Sequence, residues 1–159
     1  MLLNTLKNTD GIINLGKVIP KKLYRCGAVD SISGKALKEL GVTCVLKLNE
    51  EFPLEHEQQH FENILYCPYS FILYPDVKKT TLVCKKLHEE LESGSVVAVH
   101  CTAGKDRTGI IISAYGMLYL NWDLKTAFQE FLKYGQFSQD QKENAWKFFF
   151  QIQIDKTPI

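Results

Sequence analysis

This sequence has almost no net charge: 19 lysines and arginines stand against 18 aspartates and glutamates over 159 residues. That balance excludes the sequence-independent phosphate binding of strongly basic proteins, so no nucleic-acid partner is expected. No apolar run approaches the length needed to span a bilayer, and no membrane span is expected. Lys7 and Asp10 interrupt the stretch where a secretory signal needs a continuous apolar core, which predicts a soluble, cytoplasmic protein. No proline-, glycine- or serine-rich linker, internal repeat or charge block divides the chain, so residues 1–159 are expected to form one domain with one site. The five cysteines lack C-x-x-C spacing and are odd in number, a pattern of reduced thiols rather than of disulfides or zinc ligands. Cys44, Cys67 and Cys84 sit in apolar or helical surroundings and read as small buried hydrophobes.

What is present is an alternation of strands and helices, which predicts an α/β fold. Extended segments are expected near KKLYRCG, VTCVLKL, NILYCPY and SVVAV. The first is followed by ISGKALKELG, a helix with Ser33 as cap, Ile32 and Leu37 as a staple and Gly41 as terminator. A polar, Glu-rich helix is expected at about 54 to 62. KKTTLVCKKLHEELESG places Thr80, Cys84, Leu87 and Leu91 on one helical face, with Gly94 at its end. GIIISAYGMLYL is apolar nearly all round and reads as a buried central helix. Asp123 caps a helix closed by Gly135, and Ser138 with Gln141 forms a capping box for an aromatic-rich last helix.

The strand SVVAV runs directly into HCTAGKDRTG, residues 100 to 109. A buried strand, a glycine-containing turn and a helix N-terminus make an anion cradle, because successive N–H groups converge and the helix dipole adds positive charge. Gly104 and Gly109 permit the backbone conformation or close packing such a cradle needs. Arg107 adds a planar fork that can hold two phosphate oxygens. Cys101 opens the cradle, in surroundings that favour the thiolate, so a nucleophile and an oxyanion site share ten residues. This is not a Walker loop, since Lys105 is followed by Asp106.

HCTAGKDRTG resembles the H-C-x5-R-[ST]-G signature of the cysteine-dependent protein-tyrosine and dual-specificity phosphatase superfamily. LYRCGAVDSISGKALKELGVTCVLKLNEE and TAFQEFLKYG resemble that superfamily's N-terminal unit and the end of its compact members, so the likeness covers most of the chain from about Leu23. The resemblance implies a central, mostly parallel sheet of about four to five strands flanked by helices. It implies that Cys101 attacks phosphorus to form a phosphocysteine, and that Arg107 and the N–H groups of Thr102, Ala103, Gly104, Lys105, Asp106 and Arg107 bind the oxygens. It further implies that Thr108 donates a hydrogen bond to the sulfur, and that His100 braces the turn, with Gly109 supporting it. The family's general acid is an aspartate on the loop preceding a helix, and Asp76, in ILYPDVKK, is the candidate. Asp76 is also well placed to cap the following helix, a role that can hold beside the acid's, and Glu50, Glu51 and Asp106 are the reserve acids.

No cofactor and no metal is implied, because the cradle and Arg107 supply the positive charge that metal ions supply elsewhere. The expected substrate is a phosphorylated protein, or alternatively a phosphoinositide or inositol phosphate, suggested by Lys105 and offset by Asp106. A monomer is expected. Tyr69, Phe71 and Tyr74 form either an aromatic wall of the cleft or core, and Cys26 or Cys67 can protect Cys101 by a reversible disulfide. A phosphate-binding pseudophosphatase and a rhodanese-like sulfur transferase are the other function classes.

Overall fold

The computed structural model describes residues 11–69 and 75–156. In chain order the elements are β1 (Gly16–Ile19), β2 (Leu23–Cys26), α1 (Ser31–Glu39), β3 (Cys44–Lys47), α2 (Glu55–His60) and β4 (Asn63–Tyr66). They continue as α3 (Val77–Glu92), β5 (Val97–His100), α4 (Asp106–Tyr119), α5 (Leu124–Lys133) and α6 (Gln139–Lys156). The five strands form one sheet in the order β1-β2-β5-β3-β4, parallel except for β1 against β2.

Alternation along the strands explains why both faces are covered. Leu23, Leu46, Val97 and Val99 face a core built with α3, α4, α5 and α6, through Cys84, Ile111, Phe131 and Phe149 among others. Tyr24, Cys26, Val45 and Ala98 face the opposite side and pack on Leu37, Val42 and Phe61. A strand buried on both faces reads as a continuous apolar run, and the whole of β5 is buried. Its C-terminal residue, His100, lies in register with both Cys26 and Lys47. That end of a parallel sheet is where ligands bind in open α/β folds.

The helix boundaries follow their caps. Asp123 accepts from the Thr126 N–H at 2.8 Å, and Ser138 and Gln141 form the expected box. The start of α1 differs from expectation: Asp30 is the cap and Ser33 closes the box from the third helical position. Ile32 is 67% exposed while Leu37 is fully buried, so the pair makes no staple. The edge strand β1 is absent from the sequence reading, because GKVI is short, carries a lysine and pairs through an irregular register. Among the described residues no helix is long and apolar enough to cross a membrane.

Candidate active site

β5 ends at His100, and the chain turns through residues 101 to 105 before α4 begins at Asp106, so the buried helix starts inside the turn. The turn is pressed against the end of β2. Gly104 has φ of +72°, and a Cβ there would lie 2.7 Å from the Cys26 carbonyl carbon and 2.8 Å from Gly27 N. Only glycine fits both the dihedral and the space. The turn's carbonyls are engaged from outside. The Ala28 N–H donates to Thr102 O at 2.8 Å, Arg25 Nη2 donates to Gly104 O at 3.0 Å, and Asn14 Nδ2 donates to Ala103 O and Gly104 O at 3.3 and 3.2 Å. With these carbonyls held outward, the Gly104 N–H turns inward and donates to Cys101 Sγ at 3.2 Å.

Cys101 is buried, and Arg107 is anchored on the first turn of α4. Its guanidinium pairs with both oxygens of Glu51, Nη1 to Oε1 at 2.8 Å and Nη2 to Oε2 at 2.5 Å, and Nη1 also reaches Tyr69 O at 3.4 Å. Thr102 Oγ1 donates to the same carboxylate at 2.6 Å and accepts from Asn49 Nδ2 at 3.1 Å. Nη2 also reaches Thr102 Oγ1 at 3.4 Å, so the Nη1–Nη2 end of the guanidinium is fully engaged and an incoming phosphate must take the place of part of this pairing. The hydrogen bond from Arg107, reinforced by Thr102, holds the Glu51 carboxyl well below the usual carboxylate range. Glu51 is therefore ionised near neutral pH and is removed from the reserve of proton donors.

Beneath the turn lies a buried charge network. Glu57 Oε1 accepts from Lys47 Nζ at 2.7 Å, and His100 Nε2 stands 3.3 Å from the same oxygen, within ion-pair reach but outside hydrogen-bond alignment. His100 Nδ1 lies 3.4 Å from the Cys101 carbonyl, which places the ring as a brace between α2 and the turn. Burial alone would raise the Glu57 carboxyl, yet His100 and Lys47 outweigh it and hold it at about 2. Since the ordinary value is 4.5, Glu57 contributes stability fully present above about pH 4.5 and lost as pH falls toward 2. Urea unfolding between pH 6 and 2 is expected to show wild type losing up to roughly 3 kcal/mol from this group. Glu57→Gln starts less stable and falls by correspondingly less; equal acid slopes for the two proteins refute the assignment.

Arg25 is fully buried, its guanidinium 3.8 Å from the centre of the Tyr134 ring, with Nε and Nη1 lacking partners among the described residues. Burial lowers it to about 10, opposed by Glu130, Tyr134 and the Cys101 sulfur. Cys26 is raised to about 12, by burial first and then by Cys101. All five cysteines are free. Thr108 is fully buried and its hydroxyl has no partner among the described residues, so the expected bond to the cysteine sulfur is not made here. Gly109 packs against the Phe131 ring.

Asp76 is exposed and caps α3, accepting from the Lys78 and Lys79 N–H groups at 2.9 and 3.4 Å. Tyr69 is core: it is 1% exposed, and its hydroxyl pairs with Thr80 on the first turn of α3. Phe71 and Tyr74 lie outside the described residues. Among the reserve acids, burial raises the Asp106 carboxyl while Arg107 and Lys105 lower it, and Glu50 is exposed. Lys105 runs its stem along Gly135, where an added Cβ would meet Lys105 Cδ at 3.0 Å. Among the described residues no cluster of three or more His, Cys, Asp or Glu could hold a metal.

The family model for the dual specificity phosphatase catalytic domain matches residues 23–153, a span that contains the whole turn and its anchors from Arg25 onward. The chain belongs to this family. The fold of this cysteine-based phosphatase is similar to that of P. aeruginosa TpbA, with a TM-score of 0.73 and 24% identity over 87% of this chain and 84% of that one. It is also similar to Tk-PTP in its active form (TM-score 0.68, 18% identity, 86% and 97% covered). A structure of PTPMT1 in complex with PI(5)P gives 0.68 and 15% identity over 90% and 99%. A stretch of 43 residues is 42% identical to an Arabidopsis thaliana protein named phosphatidylinositol 3,4,5-trisphosphate 3-phosphatase and protein-tyrosine-phosphatase PTEN1. That stretch is 26% of this chain and 10% of the curated relative.

Several residues that build the phosphatase site escape the sequence reading. Asn14, Arg25, Lys47, Asn49 and Glu57 act on the turn through contacts across the sheet rather than through the motif. The available signal was a charge inside an otherwise apolar strand: Lys47 in VTCVLKL and Arg25 in LYRC are polar where both sheet faces are covered. Glu57 carried no such signal, since a glutamate in a polar helix reads as solvent-facing.

Proposed function

We propose that this phosphatase hydrolyses phosphomonoesters of proteins, with phosphotyrosine as the principal substrate, through a phosphocysteine at Cys101. The observation that carries this reading is the Gly104 N–H aimed at Cys101 Sγ inside a turn whose carbonyls are tied outward, next to an Arg107 fork fixed by Glu51. The sulfur attacks phosphorus as the ester oxygen departs. Arg107 and the inward amides of residues 102 to 107 take the equatorial oxygens, where charge develops. Water then attacks phosphorus, giving its proton to the Asp76 carboxylate left by the first step, and the thiolate leaves, helped by the Thr108 hydroxyl, which has no competing partner among the described residues. Two features favour a protein over an inositol lipid: Asp106 offsets Lys105, and the Lys105 stem is directed along Gly135.

Asp76 is assigned as the acid that protonates the leaving oxygen, a role compatible with capping because a carboxyl has two oxygens and only Oδ1 serves the cap. Asparagine caps a helix as well as aspartate does but carries no acidic proton. Asp76→Asn is therefore expected to keep its thermal midpoint and lose roughly 10²-fold in kcat on substrates with poor leaving groups. A large loss of stability with normal kcat reverses the assignment.

The reading as a whole is tested by following phosphotyrosyl peptide, phosphoserine peptide and phosphoinositide hydrolysis in excess EDTA. Peptide turnover with phosphotyrosine leading is expected. Turnover of the lipid alone transfers the enzyme to the phosphoinositide class, and absence of all turnover by folded protein makes it a phosphate-binding relative without catalysis.

A further inference from the structure

A cleft of about 170 Å³ opens beside the phosphate turn, between the β2–α1 connection and the segment leading into α2. Its volume is more than ten times the ~10–15 Å³ that one water molecule needs. It shares a wall with the turn, because Asn49, which lines the cleft, donates from Nδ2 to Thr102 Oγ1 at 3.1 Å. Thr102 Oγ1 gives its own proton to Glu51, so the Asn49 amide is fixed with nitrogen toward the turn. Asn49 Oδ1 consequently faces away from the turn, fully buried and without a partner among the described residues. Glu57 lines the same cleft: it is 1% exposed, its Oε1 is taken by Lys47, and its Oε2 has no partner among the described residues.

Both oxygens are acceptors, and such groups are costly when buried unless a donor reaches them. The charged lining is Asp30 and Glu57 against Lys47, one negative charge in excess, with His56 as the other titratable neighbour. Phe52, about half exposed, adds an aromatic wall at the rim. Unpaired acceptors, excess negative charge and an aromatic face all favour one ligand chemistry, a cation with several N–H donors.

We propose that this cleft is a subsite for the protonated head of a lysine or arginine that lies close in sequence to the phosphorylated residue of a protein substrate. The inference rests on the phosphoprotein reading given above. In the cleft an arginine or lysine head lies beside the Asp30 charge and the Phe52 ring, with the Asn49 and Glu57 side chains in its wall. The phosphate meanwhile sits above Cys101, in the turn to which Asn49's partner Thr102 belongs.

The test uses the full chain with phosphotyrosyl peptides that differ at one position. Lysine or arginine is compared with norleucine or citrulline at each of the three positions on either side of the phosphotyrosine, with an aryl phosphate as reference. At one or more positions the basic peptide is expected to have a kcat/KM about tenfold above its uncharged counterpart. Asp30→Asn keeps the helix cap and removes the charge, and Phe52→Ala removes the aromatic wall. Each is expected to reduce that within-protein ratio to about threefold or less. Aryl phosphate turnover with peptides indifferent to the basic residue overturns the subsite and leaves the phosphatase reading standing. A basic preference undiminished in both variants also overturns it, as does hydrolysis confined to an inositol lipid. Inert aryl phosphate with folded protein removes both readings together.

Discussion

Cys101→Ser is expected to hydrolyse aryl phosphates on the order of 10⁴-fold or more slowly than wild type while still binding inorganic phosphate. The two properties separate because different atoms carry them. The serine hydroxyl would occupy the same buried position at the end of β5, yet it is not ionised near neutral pH and has no adjacent base, since His100 is turned toward Glu57 and the backbone. The Gly104 amide and Arg107 with its Glu51 brace remain as they are. Calorimetric phosphate binding within about threefold of wild type, beside a kcat near background, is the outcome the mechanism requires. A serine variant with residual turnover of even a few per cent would falsify nucleophilic attack by Cys101.

The second large effect comes from one methyl group. Gly104→Ala adds a Cβ 2.7 to 2.8 Å from backbone atoms of Cys26 and Gly27, which cannot rotate away, at a residue whose φ is +72°. The turn must lift from the end of β2, which breaks the Arg25 bond to Gly104 O and moves the amide that meets the sulfur. Losing a preorganised oxyanion donor costs about 10²–10³-fold in kcat. The strained dihedral and the displaced backbone together cost roughly 2–4 kcal/mol of stability. Gly94→Ala is the control, because Gly94 has φ of +98° with nothing within 4 Å of an added Cβ. It is expected to lose about 1 kcal/mol for the left-handed backbone and to keep full activity. Thermal unfolding and aryl phosphate kinetics on both variants check the pair, and equal kinetic losses in the two reject the argument from crowding.

How far the sequence could be read is clearest around the turn itself. HCTAGKDRTG is local chemistry, and strand, turn and helix follow one another with no gap, so neighbouring residues suffice to infer it. Asp123 and the Ser138 box were equally legible, because a cap acts within three or four residues of itself. The start of α1 was missed by a residue choice inside one box, where Asp30 and Ser33 are both competent caps. Glu51 was visible as a carboxylate near the site, but its role depends on an arginine 56 positions later. Glu57 and Asn49 were invisible for the same reason: their partners are set by which strands lie side by side, and β5 falls between β2 and β3 against chain order.

That displacement from chain order has a kinetic consequence. The turn's carbonyls are held by Arg25 and Asn14, 79 and 90 positions away along the chain. Contacts of such range close late in folding, because the loop entropy is spent before the contact repays it. β5 must insert between two strands made much earlier, and until it does the turn has neither its outward anchors nor the end of β2 to lie against. A chain in which β5 is not yet inserted thus holds Cys101 without the amide and cation that surround it, so the reactive centre exists only once these long-range contacts of the sheet are made.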